Sequence, residues 1–128
     1  MFEVAIRESV TVRAQPEEVR VARAFVGRVL GLPHPCAEAA VLLASELVSN
    51  SVQHSGSAVP GGLVTVTVEA REDYVRVEVT DRGGDGGPVL LAADDEAEGY
   101  RGMQLVEALA ARWGYERGGG QAKTWFEL

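Results

Sequence analysis

Two runs, LVTVTVEA from Leu63 and YVRVEVTD from Tyr74, alternate apolar and polar residues and are joined by the short polar segment REDY. A period of two sends successive side chains to opposite faces of a sheet, so each run reads as a strand with one buried face. The short connection makes the pair an antiparallel hairpin. This hairpin limits the fold more than any other feature, because every other segment must be fitted around it.

The flanking segments complete the pattern. FEVAIRESVTVRA alternates as well and reads as a strand or hairpin arm. QPEEVRVARAFVGRVLGL reads as a helix, with Pro16 in the first turn, Glu17 and Glu18 at the positive end of the dipole and Gly31 at its end. Val19, Ala22, Val26, Val29 and Leu30 give its apolar stripe. A second helix opens after Pro35 and stops at Gly56, and its middle is apolar on most sides, as a deeply packed helix requires. A third helix is expected from Arg101 to Arg112, with Met103, Val106, Leu109 and Ala110 on one face. WGYER, GGG and TWFEL suggest a last hairpin. Helices and antiparallel strands come in runs rather than in βαβ alternation. The expected fold class is therefore α+β, a two-layer α/β sandwich with a mostly antiparallel sheet and helices on one face. A Rossmann reading of the glycines does not fit that order.

With 128 residues the chain makes one domain, long enough to bury a core without staples. Twelve basic against nineteen acidic residues leave a formal charge of −7, which disfavours direct nucleic-acid binding. No apolar run is long enough to cross a bilayer, and no signal peptide is visible. Cys36 is the single cysteine, so no internal disulfide can form, in keeping with a cytoplasmic location. Two isolated histidines and one cysteine make no metal site. His34 reads as loop, His54 as a dipole-satisfying residue near a helix C-terminus, and Trp113 and Trp125 as packing residues.

Three segments carry possible chemistry. In ELVSNSVQHSG, Glu46 and Asn50 lie four apart and so share one helical face. Asn50 could hold Mg²⁺, which takes few protein oxygens and fills its shell with water and phosphate. Glu46 could accept a proton from a hydroxyl or water. Asp81 ends a strand and is followed by Gly83, Gly84, Gly86 and Gly87. Such a carboxylate can accept a hydrogen bond from a purine amino group, and Gly83 lets a flat ring approach the chain. In EGYRGMQLVEALA, a glycine at a helix start exposes N–H groups to an anion, which suits a phosphate at Gly102, Met103 and Gln104. Each segment alone has an ordinary structural reading: a solvated helix, an Asp-Gly turn, a loop end. Together they describe one pocket for a purine nucleotide with Mg²⁺.

These segments resemble the N, G1 and G2 boxes of the GHKL superfamily of Bergerat-fold, histidine kinase-like ATP-binding domains. The stand-alone length and the ending WGYERGGGQAKTWFEL resemble its anti-sigma-factor serine/threonine kinase branch. The resemblance implies ATP and Mg²⁺ as cofactors, with Glu46 as general base, Asn50 as metal ligand and Asp81 with Gly83 at the adenine. It implies phosphate contacts at Gly102, Met103 and Gln104, an adenine-side threonine at Thr124, and a mobile lid over roughly 84–101, its acidic run a solvated surface. It implies a sigma factor or a STAS-type anti-anti-sigma protein as partner, and that branch commonly forms homodimers. Two departures stand out. Tyr100 occupies the place of the first glycine in the usual Gly-Arg-Gly, and GGGQAKT replaces a compact Gly-Lys-Thr. Phosphoryl transfer is more sensitive to such changes than binding is. An active kinase, an ATP-binding module that only sequesters its partner, and an interaction domain with a dead pocket are the three readings to separate.

Overall fold

The computed structural model describes residues 5–31, 33–54, 62–82 and 98–128, apart from the side chains of His54 and of residues 98–101. Gly83 and the expected lid up to residue 97 lie outside the described residues. The chain runs β1 (Ile6–Arg13), a 3-10 turn (Pro16–Glu18), α1 (Val19–Leu30), α2 (Ala37–His54), β2 (Leu63–Arg71), β3 (Tyr74–Arg82), α3 (Glu98–Leu109), β4 (Arg112–Gly118) and β5 (Gln121–Glu127). The strands form one sheet in the order β1-β2-β3-β5-β4, antiparallel at every pairing. The fold is α+β, as the alternation indicates.

Register explains the layering. Residues opposite one another in an antiparallel ladder share a face. Val12 faces Val64, and Val10, Val66 and Val79 lie abreast, with Thr124 next on β5. This face is buried under the helices: Val64, Val66 and Val68 on β2, Val75, Val77 and Val79 on β3, and Phe126 on β5 are almost wholly inaccessible. Each such valine contributes roughly 1.5–3 kcal/mol by leaving water. The opposite face is polar. One row across all five strands reads Arg7, Glu69, Arg76, Glu127, Arg112, with the sign of charge alternating at every step. Beside it, Ser9 with Thr67 and Thr11 with Thr65 exchange hydroxyl hydrogen bonds at 2.8 Å.

Glu127 anchors the charged row. It is buried and accepts hydrogen bonds from Tyr74 Oη at 3.1 Å, Arg76 at 2.9 Å and Arg112 Nε at 2.8 Å. Burial pushes its carboxyl up, but the bonds from Arg112, Arg76 and Tyr74 outweigh burial and hold it below its ordinary range. Nearby, the Arg76 guanidinium stacks on Trp125, 4.2 Å from the ring centroid, and Trp125 lies flat over Gly114, whose missing side chain leaves the room.

α2 is the centre of the core. Ala40, Leu43, Ala44, Leu47, Val48 and Val52 are all buried and, at i, i+3, i+4 spacing, form one broad face of the helix, while the apolar Leu42 on its other side is exposed. α1 contributes Ala22, Phe25 and Val26. Phe25 is an addition to the expected stripe, of which Val19, Val29 and Leu30 are only partly buried. Pro16 starts the 3-10 turn, and Glu18 folds back to bond Arg13, so α1 itself begins at Val19. His34 is tied down: its Nδ1 accepts from the Cys36 N–H at 3.0 Å, and its Nε2 donates to the Arg71 carbonyl at 2.7 Å.

The third helix differs from expectation at both ends. It starts at Glu98 and stops at Leu109. Met103 and Val106 are buried as expected, whereas Leu109 is 48% exposed. The reason is the sheet: the Ala111 N–H donates to the Glu127 carbonyl at 2.8 Å, which draws the chain out of the helix and makes Arg112 the first residue of β4.

Candidate nucleotide site

The inward row of β3 reads Val75, Val77, Val79, Asp81. Three valines seal the core, and the fourth position puts a carboxylate on the same inward face. Asp81 is 9% exposed. The Ser51 hydroxyl on α2 hydrogen-bonds this carboxylate. Its Oδ1 is buried with no partner. Burial pushes its carboxyl above the ordinary value, and the Ser51 bond draws it only partly back.

Asn50, the residue before Ser51, is half-buried, and its Oδ1 is likewise buried without a partner. Among the described residues these two oxygens are the buried side-chain polar atoms left unsatisfied. Leaving such an atom unpaired costs about 1–3 kcal/mol, so a native site that keeps two, one on the residue next to Ser51 and one on the carboxylate Ser51 bonds, is built to receive something. What fits them is a ligand presenting donors or positive charge: an amino group at Asp81, a hard cation at Asn50. No group of three or more His, Cys, Asp or Glu that could hold a metal alone occurs among the described residues. A single amide oxygen suits Mg²⁺ that takes its remaining ligands from phosphate and water.

Glu46 stands one helical turn before Asn50 and is half-buried. Its carboxylate lies against α3: a Cβ built on Gly102 would fall 2.7 Å from Glu46 Oε2 and 3.3 Å from its Cβ. Gly102 is thus a glycine because the carboxylate occupies the space a side chain would need. Thr124 is on the inward face of β5, diagonal to Asp81, since Asp81 pairs with Ala122 and Thr124 with Val79. The structure therefore joins Glu46 to Gly102 and Ser51 to Asp81, and sets Thr124 beside the latter pair. It treats Met103 and Gln104 differently. Met103 is buried in the core and Gln104 is exposed. Because α3 begins at Glu98, both sit in its second turn, where N–H groups already donate within the helix. The N–H groups left free for an anion belong to the first turn, residues 98–101.

A hollow of about 470 Å³ is lined by Asp81, Arg82 and Gln121 together with Thr11, Thr65 and Thr80. The threonines lie on the polar face of the sheet, whereas the register places Asp81 in the inward row. Sequence reading passed over Ser51. Its signal was position alone, one residue past Asn50 on the helix that packs on β3.

An antiparallel sheet packed with three helices, with unsatisfied oxygens on α2 and on β3, is an α/β sandwich with a candidate ligand site. Residues 12–128 match the family described as the histidine kinase-like ATPase domain, and the chain belongs to that family of ATP-binding domains. The resemblance read from the three motifs is borne out at that level. No curated protein matches the chain. Among solved structures it is similar to the RsbU and RsbW domains of Rv1364c from Mycobacterium tuberculosis, with 24% identity and a TM-score of 0.64. The match covers 95% of this chain and 32% of the other, so the likeness is one of fold over about a third of that protein. No described helix is long and apolar enough to cross a membrane.

Proposed function

We propose that the protein is an ATP-binding anti-sigma regulator that phosphorylates a serine or threonine of a STAS-type anti-anti-sigma partner. The observation that carries this reading is the pair of buried, unpartnered oxygens, Asn50 Oδ1 and Asp81 Oδ1. Asp81, with Thr124 beside it, reads the adenine edge. Asn50 would hold Mg²⁺, which would neutralise charge on the triphosphate. The free N–H groups of the first turn of α3 favour the phosphates, with Gly102 keeping Glu46 close to them. Glu46 takes the proton from the partner's hydroxyl as it becomes the nucleophile. A sigma factor is the second partner of such a regulator, and the site works in the cytoplasm as one domain spanning residues 1–128. The test is transfer of label from γ-labelled ATP to a STAS partner by wild type and Glu46→Ala. Equal transfer by both removes Glu46 from the mechanism.

One observation favours a second reading. Tyr100 stands in the G2 box where the resemblance leads one to expect glycine. A side chain there would hinder the lid, giving a module that binds ATP and sequesters its partner without transfer. It predicts saturable ATP binding with no turnover, and any Glu46-dependent transfer rules it out.

A further inference from the structure

Ser51 carries the hydroxyl by which the core helix reaches the carboxylate at the end of β3. It is 7% exposed, follows Asn50 directly, and donates to Asp81. Since Asp81 Oδ1 has no partner, the Ser51 hydroxyl engages the other oxygen, Oδ2. A carboxylate can turn about its terminal torsion, which is broad and roughly two-fold. One hydrogen bond from a buried hydroxyl on a rigid helix removes that freedom and leaves Oδ1 as an acceptor with a fixed direction. Ala122, the residue opposite Asp81 on β5, has no polar side-chain atom with which to do this.

We propose that Ser51 is a positioning residue that locks the Asp81 carboxylate so that its free oxygen selects purines bearing an amino group over those bearing an oxo group. The proposal rests on the nucleotide reading above and adds to it the source of base specificity. The chemistry is one of matched polarity. A fixed acceptor pairs with the N–H of a 6-amino group and opposes the lone pairs of a 6-oxo group. Ser51 also ties the base end of the site to the metal end, because Asn50 and Ser51 are consecutive on one helix. A turn of α2 that disturbed one would disturb the other.

The experiment is calorimetric titration of wild type, Ser51→Ala and Asp81→Ala with ATP and with inosine triphosphate, which carries an oxo group where ATP has its amine. Ser51→Ala is expected to weaken ATP about 10-fold, as for loss of a directed bond to a charged acceptor. Inosine triphosphate should weaken by less than about 2-fold, so the ratio of the two affinities falls about 5- to 10-fold. A merely structural role would weaken both alike, and equal weakening, or an unchanged ratio, overturns the proposal. Should Ser51→Ala fail to fold, Ser51→Cys has similar bulk with a weaker donor. It should lower the ratio in the same sense, and an unchanged ratio there also overturns the proposal. Failure of the underlying reading looks different: wild type then binds neither nucleotide, or Asp81→Ala binds ATP as well as wild type does.

Discussion

Replacing Gly102 by alanine separates chemistry from stability at this site. The added Cβ would sit 2.7 Å from Glu46 Oε2, where ordinary contact starts at 3.4 Å. The offending atom is the far end of a side chain, so the carboxylate gives way by about 0.7 Å rather than the helix breaking. The 3.3 Å approach to the Glu46 Cβ limits the routes by which it can do so. Displacing a catalytic group by 1 Å can cost about 100-fold in rate, so about 30-fold is expected for phosphoryl transfer. Against this, alanine inside a helix gains about 1 kcal/mol over glycine, offsetting the crowding in overall stability. The assay is single-turnover transfer from γ-labelled ATP to the partner, with melting curves and ATP titration alongside. Transfer should fall about 30-fold while the melting temperature moves by no more than a few degrees and ATP affinity by no more than about 3-fold. In a Glu46→Ala background there is no carboxylate to displace, so Gly102→Ala should cost no further activity and should stabilise. Wild-type transfer in Gly102→Ala, where Glu46→Ala is inactive, would refute the claim that this glycine exists to seat that carboxylate.

Four further outcomes are expected. Asp81→Asn should weaken ATP binding about 10- to 100-fold by turning an acceptor into a mixed group, measurable by titration at neutral pH. Asp81 has a folded-state pKa raised above its ordinary 3.8, so its contribution to stability is fully present below that value and is lost as pH rises through the folded pKa. The melting temperature of Asp81→Asn should therefore exceed that of wild type near neutrality, with the gap closing on acidification. Glu127 has the opposite sign: its folded pKa is lowered from 4.5, so its stabilisation is present above 4.5 and lost as pH falls through the folded value. Glu127→Ala should cost about 2–3 kcal/mol in urea unfolding at pH 7, a buried pair discounted for the exposure of Arg112, and the deficit should shrink in acid. Gly114→Ala drives a methyl to 2.6 Å from the Trp125 ring and should cost about 1–3 kcal/mol without altering ATP affinity, as melting and titration together would establish.

The strands were legible because their alternation is dictated by a sheet with one dry face; the structure returns the central hairpin within two residues, while β1 begins at Ile6 rather than Phe2 and β5 at Gln121 rather than Thr124. Asp81 was legible for the same reason: it takes the next inward position after three valines, where a core residue would otherwise stand. Glu46 and Asn50 could be put on one face from their spacing, but not paired with a partner element, since only the fold brings Gly102 against Glu46. The helix ends were misread where distant bonds decide them. Glu127 lies far along the chain, yet its carbonyl holds the Ala111 N–H and its carboxylate holds Arg112, so the sheet starts at Arg112. Ser51 escaped notice because a serine inside an apolar helix has no local signature; its meaning lies in what sits across the layer. Gly83 and the lid up to residue 97 lie outside the described residues, and what the sequence implies there stands as proposal.

On α2 the residues that would meet ATP alternate with those that hold the domain together: Glu46 and then Leu47 and Val48, Asn50 and Ser51 and then Val52. Proteins that hang their reactive groups on surface loops can tolerate sloppy interiors. This one has no such slack. A conservative trim such as Leu47→Val would shift the chemistry's footing before it unfolded anything, so enzymatic output is the most sensitive gauge of how well the interior is assembled.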